Sequence, residues 1–230
     1  MNNETDDIFN MVLASTVHDM KNSLGMLAES INQIVAQIDP QSLDDDAQAN
    51  YGIVQYESSR VNNSLMQLLA LYKLENEQLP FCPNYCNLSD FLEEQMLKHS
   101  MLLAAKGIEC KIDVDEELEG IFDESLVETV LENIIGNATR YTKSQIQITC
   151  RQGEFTVIEV TDDGPGYPSA MIELAGSYMQ GINQSTGSTG LGLFFAQKIA
   201  GLHNHKGRRG KIILSNGGKL GGGKFELLLP

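Results

Sequence analysis

From Leu13 onward apolar residues recur at alternating spacings of four and three: Leu13, Val17, Met20, Leu24, Leu27, Ile31, Ile34 and Ile38. This is a heptad seam, the pattern of helices packed in a bundle. It predicts one long helix ending around Asp39 and Pro40, since proline disfavours helical backbone at the residue before it. The polar run QSLDDDAQ then turns the chain and caps a second helix. That helix carries Val54, Val61, Leu65, Leu68 and Tyr72 on one stripe and fades near Glu77 to Pro80. Two antiparallel helices with one apolar stripe each cannot bury both faces alone. A dimer completing a four-helix bundle is the economical solution; the alternative is a monomeric hairpin docked on the rest of the chain.

Past this point the periods alternate. NLSDFLEEQMLKHSMLLAAKG has a Ser/Asp start, helical apolar spacing and Gly107 as a stop, and IECKIDVD then alternates like a strand. SLVETVLENIIGNATRY is helical again, while QIQITC and FTVIEVTD have the look of strands. A Gly/Ser/Thr-rich region leads into the helix LGLFFAQKIAGLH, and GKIILSN and GKFELLLP form a closing hairpin. Helices and strands mixed in this way predict an α+β fold: a two-helix hairpin, then a sheet with helices on one face. The predicted domains are 1–78 and 88–230, joined by a linker over 79–87 that is rich in Pro and Asn. No internal repeat is visible.

Composition narrows the setting. Of the 230 residues 42% are apolar and 20% charged, ordinary for a globular protein. Lys and Arg number 16 against 31 Asp and Glu, a formal net charge of -15. Nucleic acid and anionic membrane surfaces need basic patches, so neither is an expected partner. No stretch approaches the roughly 18 to 20 apolar residues of a membrane span, and the acidic start MNNETDDIFN is no signal peptide. A cytoplasmic location is expected. Cys82 and Cys86 form a CPNYC pair that suggests a metal, but no second pair stands at zinc-site spacing. The four cysteines are therefore expected to be reduced or structural.

Candidate chemistry gathers in three short elements. In ENIIGNATRYT, Asn133 and Asn137 share a helix face, with Arg140 a further turn along. Amide oxygens there can ligate Mg²⁺ and a guanidinium can meet phosphate, although surface Asn pairs are common. DDGPG, residues 162–166, puts a carboxylate at a strand end beside two glycines. Such a backbone can approach a flat ligand, or it is a plain turn. STGSTGLGL opens a helix with small residues whose backbone N–H groups cradle phosphates. It is no Walker motif, and each element alone is weak. A fourth stretch, TVHDMKNSL, sets His18 beside Asp19 and one turn before Asn22. Val17 occupies the seam, so His18 lies on its flank and can face solvent.

In this order the elements resemble the catalytic core of a two-component sensor histidine kinase: a dimerisation and phosphotransfer hairpin, then a Bergerat-type (GHKL) ATP-binding domain. HDMKN resembles the family's H box, NIIGNATRYT its N box, DDGPG its first glycine box and TGLGL its second. The resemblance implies ATP and Mg²⁺ as cofactors and homodimerisation. It also implies His18 as phosphoacceptor, Asp19 as its acid/base partner and Asn22 as a residue positioning water for dephosphorylation of a response regulator. It places Asn137 on Mg²⁺, Asn133 alongside the phosphates, Arg140 at a usually basic position and Tyr141 near the nucleotide. Asp162 would accept from the adenine amino group. Gly164 and Gly166 would admit the base and lid, and Gly190, Leu191 and Gly192 would serve the phosphates. Hydrolysing relatives carry a Glu four residues before the Mg²⁺-binding Asn; here that position is Asn133, with Glu132 adjacent. An amide is no general base, so transfer to His18 is favoured over hydrolysis.

The chain also departs from the family pattern. Ser23 stands where many members have Pro, and Ser188 where the second glycine box usually begins with Gly. The short lid, 167–189, lacks a recognisable aromatic box, with Tyr178 its weak candidate. With 17 residues ahead of His18, either a stand-alone kinase served by a separate sensory protein or an excised core is expected. The expected activity is autophosphorylation and transfer to the receiver domain of a response regulator. The alternative is a dimeric regulatory phosphatase or phosphotransfer scaffold.

Overall fold

The computed structural model describes residues 2–37, 45–174 and 190–230. The chain divides into two compact units, Met1–Leu79 and Pro80–Pro230. The first holds two helices, α1 (Asn2–Ala36) and α2 (Asp45–Glu75). Val61 and Leu65 line one groove with Met20, Leu24 and Leu27, while Tyr51 donates to Asn32. Position therefore rises along α1 as it falls along α2, and the pair is antiparallel.

Burial divides the α1 seam in two. Val17 is buried, and Leu24 and Ile31 are partly covered. The alternate set, Met20, Leu27 and Ile34, is 51, 59 and 61% exposed. On α2, Val54, Val61 and Leu68 repeat every seven residues and are also exposed, while Gln67 and Leu71 are buried. The hairpin thus closes one seam and leaves another open. The turn at 38–44 lies outside the described residues.

The second unit is built on a five-stranded sheet in the order β2-β4-β5-β9-β8. Its strands are β2 (Glu109–Asp113), β4 (Gln145–Gln152), β5 (Thr156–Asp162), β8 (Lys211–Asn216) and β9 (Gly223–Leu229). Only β2 and β4 run parallel; the other pairs are antiparallel. Register sets Ile148, Val160, Phe225 and Leu214 in one cross-strand row and Ile158, Leu227 and Ile212 in the next. All seven are buried, under helices α3 (Leu88–Ala105), α4 (Glu124–Tyr141) and α6 (Leu191–Leu202). The opposite face is polar, with Arg151 bridging Glu159 and Glu226, and Lys224 bridging the same two carboxylates. One apolar and one polar face is the signature of a two-layer α+β sandwich.

The smaller elements differ from the sequence expectation. Asn84–Asn87, within the predicted linker, form strand β1, which pairs antiparallel with β3 (Glu119–Phe122). Asn87 also caps α3, accepting from the Asp90 amide. Helix α5 (Ser169–Leu174) and the hairpin of β6 (Asn204–His205) and β7 (Arg208–Arg209) also went unpredicted. Elements of two to six residues are too short to show a period.

The far ends of α4 and α6 meet in one buried cluster. Asp123 caps α4 by accepting from the Leu126 amide, and its own N–H donates to His203 Nε2 at 3.0 Å. His203 closes α6, with Nδ1 2.9 Å from the Ile199 carbonyl. Phe81 stacks edge-on against its ring, and the Cys82 amide donates to Asp123. Burial lowers the His203 pKa, so the ring is neutral and Nε2 remains an acceptor. Among the described residues, no helix is long and apolar enough to cross a membrane.

Candidate functional site

Helix α4 buries Val127, Val130, Leu131, Ile134, Ile135 and Ala138, a stripe at helical spacing that leaves Asn133 and Asn137 on its flank. Asn137 Nδ2 donates to Asn133 Oδ1 at 3.4 Å, and the Asn137 oxygen has no protein donor among the described residues. Asn133 Nδ2 is buried with no partner among the described residues. A native structure rarely leaves such a donor unmet without a ligand or water to receive it. Gly192, in the first turn of α6, presses against this amide: a Cβ there would collide with Nδ2. Gly190 begins α6 in the left-handed conformation, φ 64°, with no side-chain cap. Among the described residues no side chain caps the backbone donors at this helix start, which suits an anion.

Asp162 ends β5 on the helix-covered face, since its cross-strand partner Ile146 is buried there. Its Oδ1 accepts from the amides of Gly164, at 2.7 Å, and Gly223, at 3.2 Å. Oδ2 has no protein donor among the described residues and remains an acceptor. Glycine is required around it, because a Cβ on Gly164 would lie 2.6 Å from the Tyr141 carbonyl oxygen. One on Gly222 would lie 2.6 Å from Asp162 Oδ1. Gly166 has φ +80° and passes against Asn216, which clasps both backbone groups of Tyr167. Arg140 lies over the Tyr141 ring at 5.4 Å, and that ring is 45% exposed.

Two clusters result. Asn133, Asn137, Gly190 and Gly192 form one; Asp162, Gly164 and Gly166 form the other, which touches α4 through Tyr141. Leu191 stands between Gly190 and Gly192, at the first residue of α6. Gly222, Gly223 and Asn216 went unpredicted, and the one available signal was the GGGK run before the last strand. Glu132 turns elsewhere: burial raises its pKa, and its charged neighbours are Glu128 and Lys98. Ser188 and Tyr178 lie outside the described residues, as does most of the predicted lid.

On α1, in the other unit, His18 is 66% exposed beside buried Val17. The Asp19 carboxylate lies 3.7 Å from Nδ1 and the Asn22 amide nitrogen 3.3 Å from the same atom. Among the described residues Nε2 has no protein partner. Cys110 and Cys150 are pushed by burial to about 11 and about 12, which leaves their thiols protonated and inert. No group of three or more potential metal-binding His, Cys, Asp or Glu occurs among the described residues.

Residues 122–230 match the family described as histidine kinase-, DNA gyrase B-, and HSP90-like ATPase. The chain is 28% identical to the sensor histidine kinase YvrG of Bacillus subtilis, over 66% of this chain and 27% of that protein. It is 28% identical to the adaptive-response sensory kinase SasA of Crocosphaera subtropica, over 84% of this chain and 53% of that one. The chain thus spans about half, or less, of these relatives' length. In fold it resembles the catalytic domain of the histidine kinase ThkA, with a TM-score of 0.55 and 24% identity over 65% of this chain and 95% of that one.

Proposed function

We propose that the chain, whose residues 122–230 match the histidine kinase-, DNA gyrase B-, and HSP90-like ATPases, is an ATP-dependent protein-histidine kinase of a two-component system. The observation that carries the proposal is the exposed His18, with Asp19 and Asn22 gathered at Nδ1 and Nε2 free. The tautomer with its proton on Nδ1, facing the Asp19 carboxylate and requiring the Asn22 amide to turn its oxygen to that nitrogen, leaves the ring's lone pair on Nε2. That nitrogen attacks the γ-phosphorus of ATP, the bond to the β–γ bridging oxygen breaks, and ADP leaves. The Asp19 carboxylate offsets the charge that develops on the ring. The phosphoryl group then passes to an Asp in the receiver domain of a response regulator.

In this reading Asp162 Oδ2 accepts from the adenine amino group. The orphaned Asn133 amide, the helix start at Gly190, Leu191 and Gly192, and Arg140 meet the phosphates, with Tyr141 beside the nucleotide. The Asn137 oxygen would hold Mg²⁺, which screens phosphate charge and retains several of its own waters. An amide at position 133, and a Glu132 whose charged neighbours are Glu128 and Lys98, favour transfer over hydrolysis.

The open seam of Met20, Leu27 and Ile34 with Val54, Val61 and Leu68 supports a homodimer closing a four-helix bundle. We place the protein in the cytoplasm, with residues 1–78 as phosphotransfer domain. The proximity of Asn22 to His18 favours a second activity, dephosphorylation of the same regulator through a water held by the amide.

The test is incorporation of label from γ-labelled ATP with Mg²⁺ into wild type, His18→Ala and Asn137→Ala. Acid-labile, base-stable label lost in both variants is expected. Label retained in His18→Ala overturns the nucleophile. Nucleotide binding without any label in wild type turns the reading towards a phosphatase, with Asn22→Ala as the deciding variant.

A further inference from the structure

Between the two clusters of the nucleotide site stands a carboxylate that neither uses. Asp163 follows Asp162, and its own amide donates to the Gln145 carbonyl at 3.2 Å. Its side chain reaches across to the turn after α4. Oδ1 accepts from the Thr142 hydroxyl, from the Lys143 amide at 2.8 Å and from the Ser144 amide at 3.0 Å. Oδ2 accepts from the Ser144 hydroxyl at 2.7 Å and shares the Ser144 amide at 3.1 Å. One carboxylate thus collects the Ser144 hydroxyl and the free amides of residues 143 and 144, and shares the Thr142 hydroxyl with the Gln145 carbonyl, 2.9 Å from it; the Thr142 amide is already bonded to Ala138.

The position of this turn matters more than its satisfaction. One turn before it on α4 lies Asn137, and directly before it Tyr141, whose carbonyl abuts Gly164 with no room for a methyl group. On the other side the chain carries Asp162 immediately before Asp163 and Gly164 immediately after. We infer that Asp163 is a positioning residue, which sets the spacing between the base-recognising carboxylate of Asp162 and the phosphate- and metal-binding amides of α4.

This inference rests on the nucleotide reading above. Desolvation raises the Asp163 pKa, and the Thr142, Ser144 and Lys143 hydrogen bonds more than reverse this, holding the carboxyl well below the usual range. It is ionised at any pH at which the protein works, so the clamp is permanent. Charged acceptors of amide hydrogen bonds are among the stronger of such interactions, and removing one leaves its donors unmet.

The experiment is equilibrium binding of Mg·ATP and of adenosine to the full chain, for wild type, Asp163→Ala and Asp163→Asn, with nucleotide-free melting alongside. Asp163→Ala is expected to weaken Mg·ATP binding by about tenfold or more, because two half-sites out of register cannot both engage one ligand. Adenosine, which needs only the Asp162 half, is expected to bind within about twofold of wild type. Asn keeps an acceptor oxygen at the Oδ1 place, so Asp163→Asn is expected to restore Mg·ATP binding to within about threefold.

Wild-type Mg·ATP affinity in Asp163→Ala overturns the inference and leaves the nucleotide reading standing. Equal loss of adenosine and Mg·ATP with a lowered melt also overturns it, since that marks mere structural support. Failure of wild type to bind Mg·ATP overturns both. If Asp163→Ala does not fold, the paired change Thr142→Val with Ser144→Ala decides: about threefold weaker Mg·ATP supports the clamp, and no change overturns it.

Discussion

The two units solve the burial problem differently. In the second, Phe122, Phe195, Phe225, Ile135, Ile148 and Leu227 are wholly enclosed between one sheet and its helices. That unit closes its own core. In the hairpin, Val17, Gln67 and Leu71 are the buried residues among those described, while a seam of larger apolar side chains faces outward. The difference teaches where each kind of chemistry is placed. His18 needs only a helix that buries its neighbour Val17, and exposure then comes from one-residue rotation. The nucleotide residues need three separate chain segments brought within a methyl group of one another.

The contrast is open to direct attack. The largest effect is expected from Ile135→Ala, which cuts a cavity in the closed core. It should destabilise the second unit by about 3 kcal/mol in urea unfolding, where Leu27→Ala in the hairpin leaves that transition within about 0.5 kcal/mol. Equal losses would mean the units do not have separate cores. Next, Gly192→Ala should weaken Mg·ATP binding by about tenfold or more by displacing the Asn133 amide, with little change in melting. Unchanged affinity would detach Asn133 from the nucleotide site. Leu27→Asp, on the open seam, should raise the dimer dissociation constant by about tenfold or more in sedimentation. A variant that self-associates like wild type would remove this seam from the interface.

The smallest effect concerns pH. Burial lowers the pKa of both His99 and His203 from the ordinary 6.5, with Lys98 a second cause at His99. The unfolded chain therefore takes up protons near pH 6.5 that the folded second unit resists. Stability is full above that value and falls as the pH drops below it towards the lowered folded values. Urea midpoints at pH 8 and pH 5.5 should show this loss, and His203→Gln should reduce it. A midpoint that rises on acidification would contradict the buried, neutral state of both rings.

Much of the fold is legible in the chain because its main elements are long and periodic. The stripe from Val127 to Ala138 predicts α4, and the alternation in QIQITC and FTVIEVTD predicts β4 and β5. The placing of Asn133 and Asn137 on one face followed from helical geometry alone. The short elements stayed hidden, since the four residues of β1 or the two of β6 are held by partners distant in sequence. Gly222 and Gly223 read as hairpin punctuation; only the register of β9 against β5 lays them on Asp162. Asp163 was unreadable for a related reason: its four donors come from residues 142–144, and antiparallel pairing of β4 with β5 makes them neighbours.

By itself the sequence determined which faces are apolar, and hence the helices, the sheet and the solvent-facing His18. These depend on period, a local property of each segment. Tertiary structure alone decided what lies within hydrogen-bond reach of each polar atom: the unmet Asn133 amide under Gly192, the doubly bonded Asp162 and the clamp at Asp163. Such contacts join positions tens of residues apart, and no local pattern encodes a distance between them.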